Sequence, residues 1–321
     1  MPVFDPFSNS AAVQSSAGLN ISDVDSVSLP GGLRVSITSF TQALGAEMLT
    51  NGNFAAWTLD DPDGWTEVGE VLLDPELTEV ASNEAHGGSG TGAVNFFSSA
   101  TASNPRIYQS VGVVASWYQF SFDLTTYTSG GLRLTDGFLG GVTYASVRTY
   151  KRLMIARNGD MHISASGAAP HDITGDNASL GLITRNAQQN AAPSGTFDFR
   201  FTLPGTTYAG QLIGIQYRIS TASNFILAYL LRNATNAAWD ILLDSYATNA
   251  PTNLRTVTGV GDPDTIRVVV TPENTHQLYT GLAGVFTARG AVVSNSLYNT
   301  AIGINTIYSP DTTPIELLAV A

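Results

Sequence analysis

The chain has 321 residues, 43% of them hydrophobic and only 12% charged, with 14 Lys and Arg against 26 Asp and Glu for a net charge of −12. That length suits two domains of ordinary size, and the apolar content excludes a disordered chain. The acidic balance without a basic stripe excludes nucleic-acid binding through phosphates, the absence of cysteine excludes disulfides and thiolate metal sites, and no apolar run is long enough to cross a membrane as a helix.

In chain order, residues 1–20 are rich in Ser, Ala and Asn, show no period, and lack the basic-then-apolar pattern of a leader. One strand is expected at 33–38, after the Pro30-Gly31-Gly32 turn. Residues 1–45 therefore read as an extended docking arm that meets a neighbouring subunit, which predicts a homo-oligomer. The stretch 50–65 carries two turn signals, Asn51-Gly52 and Pro62-Asp63-Gly64, together with Trp57 and Trp65. An acidic run follows between Asp60 and Glu84, read as a solvated loop.

Residues 46–183 hold short alternating segments at 92–97, 106–111, 117–124, 132–134, 142–148, 152–156 and 161–164. The cleanest is 118–124, where Tyr118, Phe120, Phe122 and Leu124 fall on one side. Residues 187–194 read as a linker. The segment 184–321 carries further strands at 196–202, 212–220, 225–232, 239–246, 254–258, 265–271, 275–280, 286–291 and 303–308. No helical period appears. The fold class is all-β: two tandem β-sandwich (jelly-roll) modules behind an extended N-terminal arm.

Particular motifs carry family resemblances. Asn51-Gly52-Asn53-Phe54 with Trp57, the Pro62-Asp63-Gly64-Trp65 turn, Trp117–Phe122, and Asp172–Leu180 together resemble the jelly roll of carbohydrate-binding modules. Residues 224–229, 239–243, 264–270 and 276–279 resemble, in that order, the concanavalin A-like lectin/glucanase sandwich of phage tail and appendage proteins. The resemblance implies a tailed-phage virion surface protein, a tail fibre or a head decoration, that contacts host polysaccharide. It also implies attachment to other virion proteins through residues 1–45, and no nucleic-acid or membrane partner. In the module family a carboxylate of the closing strand joins an acid after the opening Phe at a structural calcium. Ala55 stands where that acid would be, so Asp176 is the remaining metal candidate and no cofactor is expected.

Sugar rings present an apolar C–H face to aromatic side chains. The candidate glycan-binding residues are Trp57, Tyr108, Tyr144, Tyr150 and Trp239, with Trp65 and Trp117 assigned to the core. The chain lacks the Glu-x-Asp-x-x-Glu strand of concanavalin-like hydrolases and the Gly-x-Ser-x-Gly elbow. Asp240 and Asp244 share one strand face, expected to be solvent-facing. The expectation is a non-enzymatic protein; the alternatives are a glycan depolymerase and a purely structural decoration protein.

Overall fold

The computed structural model describes residues 24–29, 32–37, 43–58, 61–68, 77–79, 93–98, 106–135, 143–166, 170–184, 189–205, 207, 209–233, 238–309 and 311–320. All regular structure among them is β, and the pairings are antiparallel.

Among the described residues four larger sheets carry the molecule, beside a two-stranded one of Trp57–Thr58 and Asp61–Pro62. The first runs in the order Leu132–Thr135, Asp160–Ala165, Arg106–Ser110, Thr66–Val68. The second runs Arg148–Ile155, Trp117–Ser129, His171–Thr184, Val94–Ser98, Leu77–Glu79, with Ala43–Glu47 also paired to His171–Thr184. The third runs Gln189–Asn190, Gly303–Tyr308, Leu212–Thr221, Asn224–Arg232, Trp239–Ala247, Ala250–Val257. The fourth runs Val24–Leu29, Gly32–Ile37, Thr313–Val320, Gly195–Thr202, Thr265–Val270, Thr275–Leu282, Val285–Ser294.

Side-chain alternation stacks these sheets as four layers. Tyr118, Phe120 and Phe122 on the second sheet meet Ile107, Leu134 and Ile163 on the first. Phe197, Phe199 and Val268 on the fourth sheet meet Ile215, Ile226 and Trp239 on the third. Successive side chains of a strand point to opposite faces, so Phe225, Leu227 and Tyr229 leave the third sheet on its other side. There they pack with Trp117, Leu153 and Ile155 of the second sheet in a third core. The two middle sheets thus carry apolar side chains on both faces where they meet, a pattern more usual for buried parallel sheets. Each fully buried side chain of this kind contributes about 1.5–3 kcal/mol, so the seam couples the two sandwiches strongly.

The opening motif forms a corner of the first core. Asn51 takes φ 51°, its Nδ2 donates to Ala56 O at 2.7 Å, and its carbonyl accepts the Trp65 indole N–H at 3.1 Å. A Cβ on Gly52 would stand 2.1 Å from the Ala178 carbonyl oxygen, so only glycine fits there. Phe54 and Trp65 pack ring to ring at 5.3 Å inside. Trp65 and Trp117 are both buried, as expected of core residues.

Several expectations need correcting. The strand expected at 33–38 exists as Gly32–Ile37, but it pairs within the chain, from Arg34 opposite Val320 to Ile37 opposite Leu317. Val24–Leu29 and Gly32–Ile37 pair as antiparallel strands of the fourth sheet, joined to the Thr313–Val320 strand that sequence reading overlooked because Pro314 interrupts it. Residues 1–23 lie outside the described residues, as does most of the acidic run. In place of a strand at 142–148, Tyr144 makes an isolated bridge to Leu132 and a single strand covers Arg148–Ile155. Asp240 and Asp244 are buried on the seam side of the third sheet.

A buried polar knot pins the bulge of Leu212–Thr221. Arg218, at φ 50°, donates to Pro193 O, Asn295 O and Asn274 Oδ1. His276 Nε2 faces Asn295 O at 2.9 Å, and a carbonyl only accepts, so Nε2 carries the proton. Nδ1 then accepts from the Tyr217 hydroxyl at 2.8 Å.

Truncating the seam residue Leu227 to Ala should cost about 2–5 kcal/mol. Because the seam joins the sandwiches, calorimetry should show one transition that moves down as a whole. Two transitions, with only one displaced, would contradict that coupling.

Candidate functional site

The two middle sheets are covered on both sides over much of their area, so a broad ligand surface has to use an outermost face. Among the described residues the first sheet offers one. Its inner side chains, Ile107, Met161, Ile163 and Leu134, enter the core. The alternate residues point outward. Register places Thr135, His162, Tyr108 and Thr66 in one row across the four strands, and Arg133, Ser164 and Arg106 in the next. Asp160 and Ser110 pair on the other side of the aromatic row, joined by a 2.6 Å hydrogen bond.

Tyr108 and His162 are cross-strand partners whose rings stack, with centroids 4.8 Å apart and planes inclined by 23°. Tyr108 is half-buried, whereas His162 is buried. Burial first, and the Arg106 cation second, hold the His162 imidazole down to about 4, with Asp160 opposing. It is therefore neutral at ordinary pH. His162 Nδ1 and Arg106 Nε are both buried and lack any hydrogen-bond partner. Such atoms are rare in native folds and ask for an explanation.

The outer face of the fourth sheet differs. There Arg267 is engaged by Asp198 through two hydrogen bonds of 2.7 and 2.6 Å and lies over the Phe286 ring. Arg200 faces Glu316 at 3.5 Å. These two arginines are matched by carboxylates of the same sheet. An open cleft nearby, lined by Arg200, Thr202, Asp262, Asp264 and Ile315, has Phe201 as its aromatic, and that ring is buried.

Of the residues singled out in the sequence, Tyr108 alone is seen on an accessible aromatic face. Tyr144 and Tyr150 stack on each other at 4.1 Å inside the first core. Both are about 1% exposed, and burial pushes the Tyr144 hydroxyl up to about 12. No sugar reaches them, because both rings lie in the core between the first and second sheets. Trp239 is fully buried in the core between the third and fourth sheets, with Arg232 over its ring at 5.4 Å. Trp57 lies on the two-residue strand Trp57–Thr58, and its side chain is outside the described set.

Asp176 faces Asp123 across two strands. Burial raises its pKa, the Asn177 N–H lowers it, and Asp123 raises it further. Asp123 already accepts from Asn177 Nδ2 and Thr149 Oγ1. Among the described residues no group of three metal-ligating side chains forms, and two carboxylates fall short of the six to eight oxygens calcium takes.

Asp240 and Asp244 do not form an acid–base pair. Four residues along a strand separate them by about 13 Å, beyond the roughly 5–9.5 Å of glycosidase carboxylates. Asp240 accepts from Asn233 Nδ2 and the Gly259 N–H. Asp244 accepts from the Tyr229 hydroxyl and Asn253 Nδ2, with burial raising its pKa. A hydrolytic pair would have to use other carboxylates.

No protein-family model and no curated protein matches the chain. Among solved structures it is similar to the kappa-carrageenase of Pseudoalteromonas carrageenovora in complex with an oligotetrasaccharide of kappa-carrageenan. The identity is 13%, the match covers 92% of this chain and 84% of that one, and the TM-score is 0.27. The expectation of a non-enzymatic protein is overturned by this finding, since the similar structure is that of an enzyme.

The His162 and His276 imidazoles should titrate by NMR with midpoints near 4. The native state then excludes protons that the unfolded chain binds below about 6.5. Stability is full above that pH and is lost as pH falls from 6.5 toward 4, by at most about 1.4 kcal/mol per pH unit for each histidine. Midpoints near 6.5 would show that neither ring is held neutral by burial.

Proposed function

We propose that this protein handles carbohydrate, gripping a glycan on the outer face of the first sheet. The observation that carries the reading is the Tyr108–His162 stack on an outermost layer. Tyr108 supplies an apolar platform for the C–H face of a sugar ring. Ser164, Asp160, Arg106 and Arg133 surround it with the donors and acceptors that hydroxyl groups require. The jelly-roll and concanavalin-like architectures support the same reading, as does a surface poor in charge and rich in Ser, Thr, Asn and Gly. The resemblance of residues 224–279 to phage appendage proteins supports a place on a virion surface, with residues 1–23 as the segment left to reach other virion proteins.

Affinity electrophoresis of the full chain through gels holding a panel of bacterial and algal polysaccharides tests this. At least one polymer should retard the wild type, and Tyr108→Ala should lose the retardation. Removing this half-exposed ring should change stability by about 1 kcal/mol or less. Retardation unchanged in Tyr108→Ala would remove the site from this face. Assaying reducing ends on the same polymers separates turnover from binding: sustained release assigns the chain a depolymerase activity, and retardation without release assigns it capture.

A further inference from the structure

We infer that the glycan is an acidic one, whose carboxylate or sulfate sits over Ser164 between Arg106 and Arg133. This rests on the glycan reading above and names the class of sugar. Arg133 and Arg106 occupy the strands on either side of Asp160–Ala165, and both are in register with Ser164. Neighbouring strands lie about 4.8 Å apart, so the two arginine backbones flank the serine at roughly 5 Å on each side. Both side chains are long enough to reach one oxyanion above it, Arg133 through the guanidinium nitrogens beyond its Nε contact to Thr143. Arginine suits that role because its planar fork matches the oxygens of a carboxylate or sulfate.

Three further observations favour an anion over more hydroxyl groups. Among the described residues no carboxylate forms an ion pair with Arg106 or Arg133, unlike Arg267 and Arg200 on the fourth sheet. Arg106 Nε and His162 Nδ1 are buried polar atoms without partners on this same face. Arg133 is held in place by a 3.1 Å bond from its Nε to Thr143 Oγ1, which itself sits 3.1 Å from Ser166 Oγ. A braced arm lowers the ordering cost of capture.

The face is also graded. The arginine row lies one row from Tyr108, about 6.6 Å along the strand, which is within reach of a substituent on a ring seated there. Asp160 lies in the row on the opposite side of Tyr108, where it would repel the same anion. An acidic sugar is thereby oriented as well as held. The chain as a whole carries −12, so general attraction to polyanions does not explain such binding.

Three polymers with one backbone test this: dextran, carboxymethyl dextran and dextran sulfate, each immobilised in the gel or titrated into the full-length protein. The charged forms should bind at least about tenfold more tightly than dextran, and should weaken as NaCl rises from 0.05 to 0.5 M. Arg106→Gln and Arg133→Gln should each remove most of that preference while leaving the melting temperature unchanged. Which charged form binds more tightly identifies carboxylate or sulfate. Equal binding of all three that is lost in Tyr108→Ala overturns the anion preference and leaves the glycan reading standing. Charged-polymer binding that survives both arginine substitutions also overturns it. Binding of none of the three, together with no retardation on the wider polysaccharide panel, overturns both.

Discussion

Everything in this molecule depends on the third sheet burying large apolar side chains on both of its faces. Asn224–Arg232 sends Ile226, Ala228 and Leu230 into the core beneath the fourth sheet, and Phe225, Leu227 and Tyr229 toward the second. A sheet built this way cannot leave either face in water without losing several kcal/mol for every pair of large side chains exposed. A sandwich of the third and fourth sheets alone would expose the seam face. The second sheet covers it with Trp117, Leu153 and Ile155. Two antiparallel sandwiches are here joined face to face.

That fusion decides where function can sit. Sheets in the middle of a four-layer stack surrender their aromatic side chains to packing. The first sheet is an outer layer, and its outward rows carry Tyr108, His162, Arg106, Arg133 and Ser164. Opposed layers, rather than any local signal, separate the accessible ring from the inaccessible ones. Polar groups on the seam side of the third sheet pair along that sheet. Tyr229 donates to Asp244, and burial with the Tyr246 and Asp244 neighbours raises the Tyr229 pKa well above its usual value. These groups hold the assembly in register and are closed to a substrate.

Much of the fold was legible in the sequence. Alternation of Tyr118, Phe120 and Phe122 marks the strand and its inner face, and the turns around Gly52 and Gly64 mark the opening corner. What alternation cannot say is what covers the other face. Tyr144, Tyr150 and Trp239 looked like platforms because an aromatic in an alternating segment can face either way, and each points into the core of its own sandwich. The Thr313–Val320 strand was hidden by Pro314, which enters at a register shift between Arg200 and Phe201. Only the register of four strands drawn from residues 66–165 brings His162 against Tyr108 and sets Ser164 between two arginines. A lone histidine in an alternating segment gives no such signal. With hindsight, the one cue was that Arg106, Tyr108, His162 and Ser164 are all polar or aromatic positions alternating with apolar ones.

The central claim is that the outward face of the first sheet is where this protein meets its ligand. Hydrogen–deuterium exchange of the full chain, with and without a bound acidic oligosaccharide, tests it most directly. The account predicts slowed exchange in peptides covering residues 106–110, 132–135 and 160–165, with the strands of the fourth sheet unchanged. Protection confined to residues 195–202 and 265–294, or saturable binding with no protection in the first sheet, would contradict it.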